Sequence, residues 1–159
     1  MISLLIIICL LLLYQLTGLF YNKSSEKFII FAEADTGEIY RVPLTVEENP
    51  CFPLEISTNI SRPVAVDYDP VEGKIYWTDV TLKLVARAFP NGSSVEIIAN
   101  NNVGTPDGLA LDYEGRNLYW TDAGTRKVEV ARLDGSFRKS LITSNIDKPR
   151  ALILHLAER

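Results

Sequence analysis

Three carboxylates crowd one short stretch, VDYDPVEGK, in which Asp67, Asp69 and Glu72 are of the type that gathers around a divalent cation in metal-dependent hydrolases. All three fall on one short turn, and no His, Ser or Cys arrangement elsewhere gives them a convergent partner. A general base is equally hard to place, because the only histidine, His155, lies near the end of the chain. Two further carboxylates recur in IYWTDV at 75–80 and LYWTDA at 118–123, where an aromatic pair is followed by Thr-Asp. An Asp that closes a strand accepts hydrogen bonds from nearby amides, as in an Asx turn, so Asp79 and Asp122 read as structural groups and not as catalytic acids. No enzyme activity, metal or cofactor is expected. The doubled motif must be explained by the elements that carry it.

Those elements repeat. Tyr76 to Tyr119 is 43 residues, Gly92-Ser93 to Gly135-Ser136 is 43, and Ala65-Val66-Asp67-Tyr68 to Ala110-Leu111-Asp112-Tyr113 is 45. A period in the low forties with an aromatic-Trp-polar-Asp signature belongs to the blades of β-propellers. Each unit divides into four short strands bounded by turn signals. One set is predicted at Gly108–Tyr113, Asn117–Thr121, Lys127–Leu133 and Ser140–Thr143, with Asp134-Gly135 as a hairpin turn. The other is predicted at Val64–Tyr68, Lys74–Thr78, Leu82–Ala88 and Val95–Ala99. Val128 and Val130, with Arg132, alternate with Glu129 and Ala131 as in a half-buried strand, whereas Leu109, Ala110 and Leu111 run apolar as in a strand covered on both faces. Tyr76, Trp77, Tyr119 and Trp120 supply aromatic area between blades, and their polar tips need partners at the blade edges. The stretch from Phe28 to Ile56 (FIIFA, EIYRVPL, CFPLEI) reads as the later three strands of a blade, and Pro149–Leu154 as one more inner strand.

The first twenty residues, MISLLIIICLLLLYQLTGLF, carry no charged side chain and have the length and shape of a secretory signal; an uncleaved signal anchor and a buried core helix are the alternatives. Three Asn-x-Ser sequons follow, at Asn22, Asn59 and Asn91, and agree with passage through a glycosylating compartment. Past the leader, Cys51 is the one remaining cysteine, either a free or intermolecularly bridged thiol or a buried inert one. The formal net charge is −4 with no basic stripe, which excludes nucleic acid as the expected partner.

The run Pro106-Asp107-Gly108-Leu109-Ala110-Leu111-Asp112, then Leu118-Tyr119-Trp120-Thr121-Asp122, then Leu133-Asp134-Gly135-Ser136 with Arg138-Lys139, resembles the YWTD class B repeat of the low-density-lipoprotein receptor family. The likeness runs from about Phe28 to Ala151 and is greatest to the first propeller of the family's Wnt co-receptor members. It implies an all-β fold, a partial YWTD β-propeller of about three of six blades over residues 28–154, after a signal peptide or signal anchor at 1–20. His155 stands one repeat after Asp112, where the family carries an inner-strand Asp, so 155–159 reads as a non-family tail and the chain as a truncated product. An open arc of blades is expected to self-associate.

The resemblance further implies an extracellular ligand-binding module, secreted or at the cell surface. Its partners would be secreted proteins such as Wnt glycoproteins or their antagonists, with membrane contact only through a signal anchor or a full-length parent. Carried over position by position, the ligand-contacting loops hold Val80, Thr81, Lys83 and Gly124 after the YWTD motifs, and Thr105, Asp107 and Arg150 before the inner strands. Asp107 and Arg150 match the family's residue types. Lys83 and Gly124 do not, since acids are expected there. Asp107 as a cap on its own turn, Arg150 as a solvated edge charge, and a fragment that does not fold alone are the competing readings.

Overall fold

Turns decide where the strands stop, and the turns repeat. Lys83, Ser94 and Asn102 have φ of 55°, 53° and 53°, and 43 residues later Arg126, Phe137 and Asn145 have φ of 58°, 55° and 60°. A non-glycine residue rarely adopts this left-handed conformation, so six of them in matched pairs show that the backbone repeats with the sequence. The computed structural model describes residues 27–44, 51–56 and 60–155. The leader, the sequons at Asn22 and Asn59 and residues 156–159 lie outside the described residues.

Three antiparallel sheets are present among the described residues, and no helix. The first contains β1 (Phe28–Glu33), β2 (Glu38–Pro43) and β3 (Phe52–Pro53). The second contains β4 (Pro63–Asp69), β5 (Lys74–Asp79), β6 (Leu84–Ala88) and β7 (Glu96–Ala99), and the third β8 (Pro106–Asp112), β9 (Asn117–Asp122), β10 (Lys127–Arg132) and β11 (Lys139–Ile142). Each four-stranded sheet is a simple meander, and β4 and β8 are the inner strands of successive blades. The molecule is a partial β-propeller.

The aromatic pair divides its labour between neighbouring blades. Trp77 packs backwards onto the first blade with Ile39, Ile75, Ala86 and Ala88, and Trp120 packs backwards onto the second among Tyr76, Val85, Ile98 and Leu109. Neither blade could bury such faces alone, which is why the motif must be said more than once. Leu109, Ala110 and Leu111 are buried, as the apolar run requires.

Four sequence expectations are corrected. The cross-strand register pairs Val66 with Trp77 and Leu109 with Trp120, and Asp69 with Lys74 and Asp112 with Asn117. Asp69, not Asp67, is therefore the counterpart of Asp112, and the 45-residue match of AVDY to ALDY is out of register by two. In β10 it is Glu129 and Ala131 that face the second blade, and Glu129 is buried because Arg138 and the Ser140 hydroxyl (3.0 Å) satisfy its carboxylate. The predicted strand at Pro149–Leu154 is not a strand: residues 151–155 pair with no neighbour, since the described residues contain no following strand for an inner strand to pair with. Cys51 is exposed and free, so the buried reading falls.

The first sheet occupies the later three strand positions of a blade. A Cβ at Gly135 would meet the carbonyl oxygen of Ile98 in β7, and a Cβ at Gly92, one period earlier, would meet that of Glu55, which places the stretch after β3 in the outermost position. Glu33 correspondingly ends β1 as Asp79 ends β5, accepting from the amides of Asp35 (3.2 Å) and Thr36 (2.6 Å). At Gly92 the fit leaves no room: φ is +76° and an added Cβ would lie 1.7 Å from Glu55 O. Gly92→Ala is therefore expected to cost about 1 to 3 kcal/mol by overpacking the seam between the first and second blades. Thermal unfolding measures this, and an unchanged midpoint would refute the seam as described.

Candidate functional site

The carboxylate of each YWTD motif is a clamp. Asp79 Oδ2 accepts from the amides of Ser61 (2.7 Å) and Arg62 (2.9 Å), while Oδ1 accepts from Thr81 (2.9 Å) and Leu82 (2.8 Å). Asp122 does the same one period later with Gly104 (2.8 Å), Thr105 (2.9 Å), Gly124 (2.9 Å) and Thr125 (2.9 Å). One side chain thus joins the loop that leads into its blade to the turn that follows the motif. Both loops are held at the same mouth of the arc. Burial pushes the Asp122 carboxyl up, but the amides of Gly104, Thr105 and Thr125 together hold it below the usual aspartate range.

The threonine before it links blade to blade. Thr78 Oγ1 accepts from Ala65 N (3.1 Å) in its own blade and donates to Asp107 O (2.8 Å) in the next. Thr121 Oγ1 accepts from Gly108 N (2.9 Å) and donates to Arg150 O (2.6 Å). Tyr76 donates across the same boundary to Leu133 O (3.2 Å) and accepts from Arg87 Nη1 (3.1 Å). The tryptophans depart from expectation: the Nε1 groups of Trp77 and Trp120 have no hydrogen-bond partner among the described residues, and Trp120 instead carries the Arg138 guanidinium 5.2 Å above its ring. The Trp, Thr and Asp of both motifs, and Tyr76, are thus occupied in holding the scaffold, while Tyr119 is half-buried.

The seven residues carried over by resemblance lie on the mouth loops. A bulge in β8 between Pro106 and Leu109 sets Asp107 at the strand's start, where its Oδ2 lies 2.6 Å from Arg150 Nη1. The carboxylate is 10% exposed and the guanidinium 68%. Asp107 therefore serves as an anchor beneath an outward-facing arginine. Thr81, Lys83 and Gly124 are exposed, and Val80 and Thr105 are half-buried. Thr105 and Gly124 touch through their backbones: a Cβ at Gly124 would stand 2.7 Å from Thr105 N. All seven candidates lie on this mouth, so the positions carried over by resemblance converge on one surface.

The acidic stretch at 67–72 does not, and only Glu72 falls on the turn expected for all three acids, because Asp67 and Asp69 lie in β4. Asp67 spans the two inner strands by accepting from Leu111 N (2.8 Å), and burial raises its carboxyl above the ordinary range. Asp69 accepts from Val71 N (3.0 Å) and has Arg116 Nη1 at 2.8 Å. Glu72 pairs with Arg116 and lies 3.5 Å from Arg87 on the rim opposite the mouth. Among the described residues, no three His, Cys, Asp or Glu side chains gather as metal ligands would.

The family described as low-density lipoprotein receptor repeat class B matches residues 73–113 and 116–156, just over half of the chain. The chain belongs to this family. The chain is 41% identical over 89 residues to low-density lipoprotein receptor-related protein 5 of Mus musculus, covering 55% of this chain and 5% of that protein. It is 40% identical over 92 residues to low-density lipoprotein receptor-related protein 4 of Homo sapiens, covering 58% of this chain and again 5% of the relative. The match thus spans a small part of each relative's length. Among solved structures, a chain of the nidogen/laminin complex superposes with a TM-score of 0.68 at 30% identity, over 77% of this chain and 47% of that one.

Three class B mouth residues escaped the sequence reading. Arg62, Arg126 and Lys148 are exposed on the same loops, and each stands at a whole number of 43-residue periods from a residue already named. Arg62 and Lys148 flank Thr105 by one period on either side, and Arg126 follows Lys83 by one. Projecting each candidate along the repeat would have found them.

Proposed function

We propose that the chain is an extracellular ligand-binding module of a low-density-lipoprotein receptor-related protein of the Wnt co-receptor type, and that it binds secreted proteins, Wnt glycoproteins or their antagonists, through the mouth. The observation that carries this reading is the division of labour in the repeats: the Trp, Thr and Asp of both motifs are committed to burial or to backbone hydrogen bonds, while Lys83, Thr81 and Arg150 face solvent on loops that those same residues fix in place. Loops held by a rigid scaffold are where binding residues concentrate. The test is binding of purified Wnt glycoproteins and antagonists to immobilised chain. Arg150→Ala should weaken at least one such complex about tenfold, with little change in melting temperature because its side chain is 68% exposed. Absence of binding across the panel would reject the assignment.

Export by the N-terminal leader and glycosylation at Asn91 belong to the same proposal. Asn91 is exposed on the turn between β6 and β7, on the rim away from the mouth. Its Oδ1 accepts from Ser93 N (3.1 Å) and Ser93 Oγ (2.7 Å), and the next blade builds this turn with Asp134 and Ser136 at 2.9 and 2.6 Å. The turn needs the shared oxygen, and the Asn91 amide nitrogen has no hydrogen-bond partner among the described residues. In a secreting cell the product should gain gel mobility on removal of N-glycans, and Asn91→Gln should shorten that shift by one glycan. A shift unaltered by Asn91→Gln would exclude the site.

A further inference from the structure

We propose that the mouth takes an acidic segment of its protein ligand, held by cations at loop positions that the 43-residue repeat sets in register; this rests on the binding reading above. On the mouth loops of the second and third blades (60–62, 80–83, 100–107, 123–126 and 143–150) the exposed charged side chains are Arg62, Lys83, Arg126, Asp147, Lys148 and Arg150. Five are cationic in a chain whose net charge is −4. The one exposed anion, Asp147, is 3.2 Å from Arg126 Nε.

The cations repeat with the fold. Arg62 and Lys148 occupy the same loop position in different blades, and Lys83 and Arg126 occupy the matching turn position of adjacent blades, both with φ near the left-handed value, 55° and 58°. Arg62, Lys83 and Lys148 make no ion pair among the described residues. Arg150 is held from beneath by Asp107, which neutralises that carboxylate and leaves most of the guanidinium's donors in solvent. A planar guanidinium steadied on one side offers two parallel donors on the other, which suits a carboxylate.

Backbone packing protects this polarity. A side chain at Gly124 would bring its Cβ to 2.7 Å from Thr105 N and 2.8 Å from the Gly104 carbonyl carbon, so the acid that the family pattern places there does not fit. The buried Asp79 and Asp122 carboxylates face inwards, each surrounded by four amides. On the first blade Asp35 is exposed and Glu33 half-buried, so the cationic surface ends at that seam. A protein segment is favoured over a sulfated polysaccharide because apolar surface lies among the charges: Leu82 is 37% exposed and Val80 and Pro149 are half-buried.

The full chain can be titrated with three labelled probes: a peptide of Glu and Leu, its counterpart with Lys for Glu, and a heparin oligosaccharide. The acidic peptide should bind, and raising salt from about 0.05 to about 0.5 M should weaken it through screening. Arg62→Glu with Lys83→Glu should reduce its affinity about tenfold or more, and Lys139→Glu, outside the mouth, should not. Preference for the basic peptide would overturn the charge assignment while leaving the mouth as a binding face. Heparin binding without peptide binding would replace the protein partner with a glycan. Equal losses from the mouth and Lys139 variants, or no binding of any probe, would also overturn the inference, whereas the reading on which it rests stands or falls on the Wnt panel.

Discussion

Trp120→Ala should leave the chain without a cooperative unfolding transition. The indole is fully buried in the apolar cluster between the second and third blades, and its loss would open a cavity bounded by Tyr76, Val85, Leu109 and Leu118. Truncating a buried aromatic to alanine costs about 3 to 5 kcal/mol, against a total of about 5 to 15 for a domain. The Arg138 guanidinium would lose its ring as well. Phe137→Ala provides the contrast, since that ring is 85% exposed and its removal should stay within about 0.5 kcal/mol. Circular dichroism melts of the two variants check both figures. Equal melting of Trp120→Ala and wild type would show that the motif is not a packing device.

Asp122→Ala should be nearly as severe, for an electrostatic reason. It would strip four backbone amides, those of Gly104, Thr105, Gly124 and Thr125, of one shared acceptor. An unsatisfied buried donor costs about 1 to 3 kcal/mol, and water can rescue part of this at the mouth, so a loss on the order of 3 kcal/mol is expected. The pH dependence has a definite sign. Because the folded carboxyl lies below its ordinary value, its contribution is present in full above the unfolded pKa of about 3.9 and disappears as pH falls through the lower folded value. Wild-type stability should therefore drop below about pH 4. Asp122→Asn should show a shallower drop, with a residual slope from Glu96, whose carboxyl is held down by Lys74 and Arg87. Parallel acid titrations of the two proteins would contradict the clamp.

The repeat itself was legible because Tyr-Trp-Thr-Asp is long, rare and spaced by 43 residues, and strand boundaries followed because Asp-Gly and Glu-Gly turns punctuate it. Local patterns gave Asp79 and Asp122 as turn acceptors, since Thr81 and Leu82 are two and three residues away. Their second task was illegible: Ser61 and Arg62 lie 18 and 17 residues back, and only the folded blade brings those amides to the same carboxylate. The inner-strand register was misread because Ala-x-Asp-Tyr occurs in both units two residues out of step, and similarity of letters outweighed pairing. Glu129 was misplaced for a related reason. Alternation reveals two faces but not which is buried when a carboxylate has an arginine partner nine residues on. At the mouth, resemblance supplied Asp107 and Arg150 but not their contact. Nor did it supply Arg62, Arg126 and Lys148, where the family pattern raises no expectation and the period alone points.

Binding at the mouth, on loops fixed by the repeated carboxylates, is best tested by hydrogen–deuterium exchange with and without the tightest member of the Wnt ligand panel. Exchange should slow at 80–83, 104–107, 123–126 and 147–150, while the turns at 89–94 and 133–138 on the opposite rim keep their rates. Slowing confined to those opposite turns, with the mouth unchanged, would contradict it.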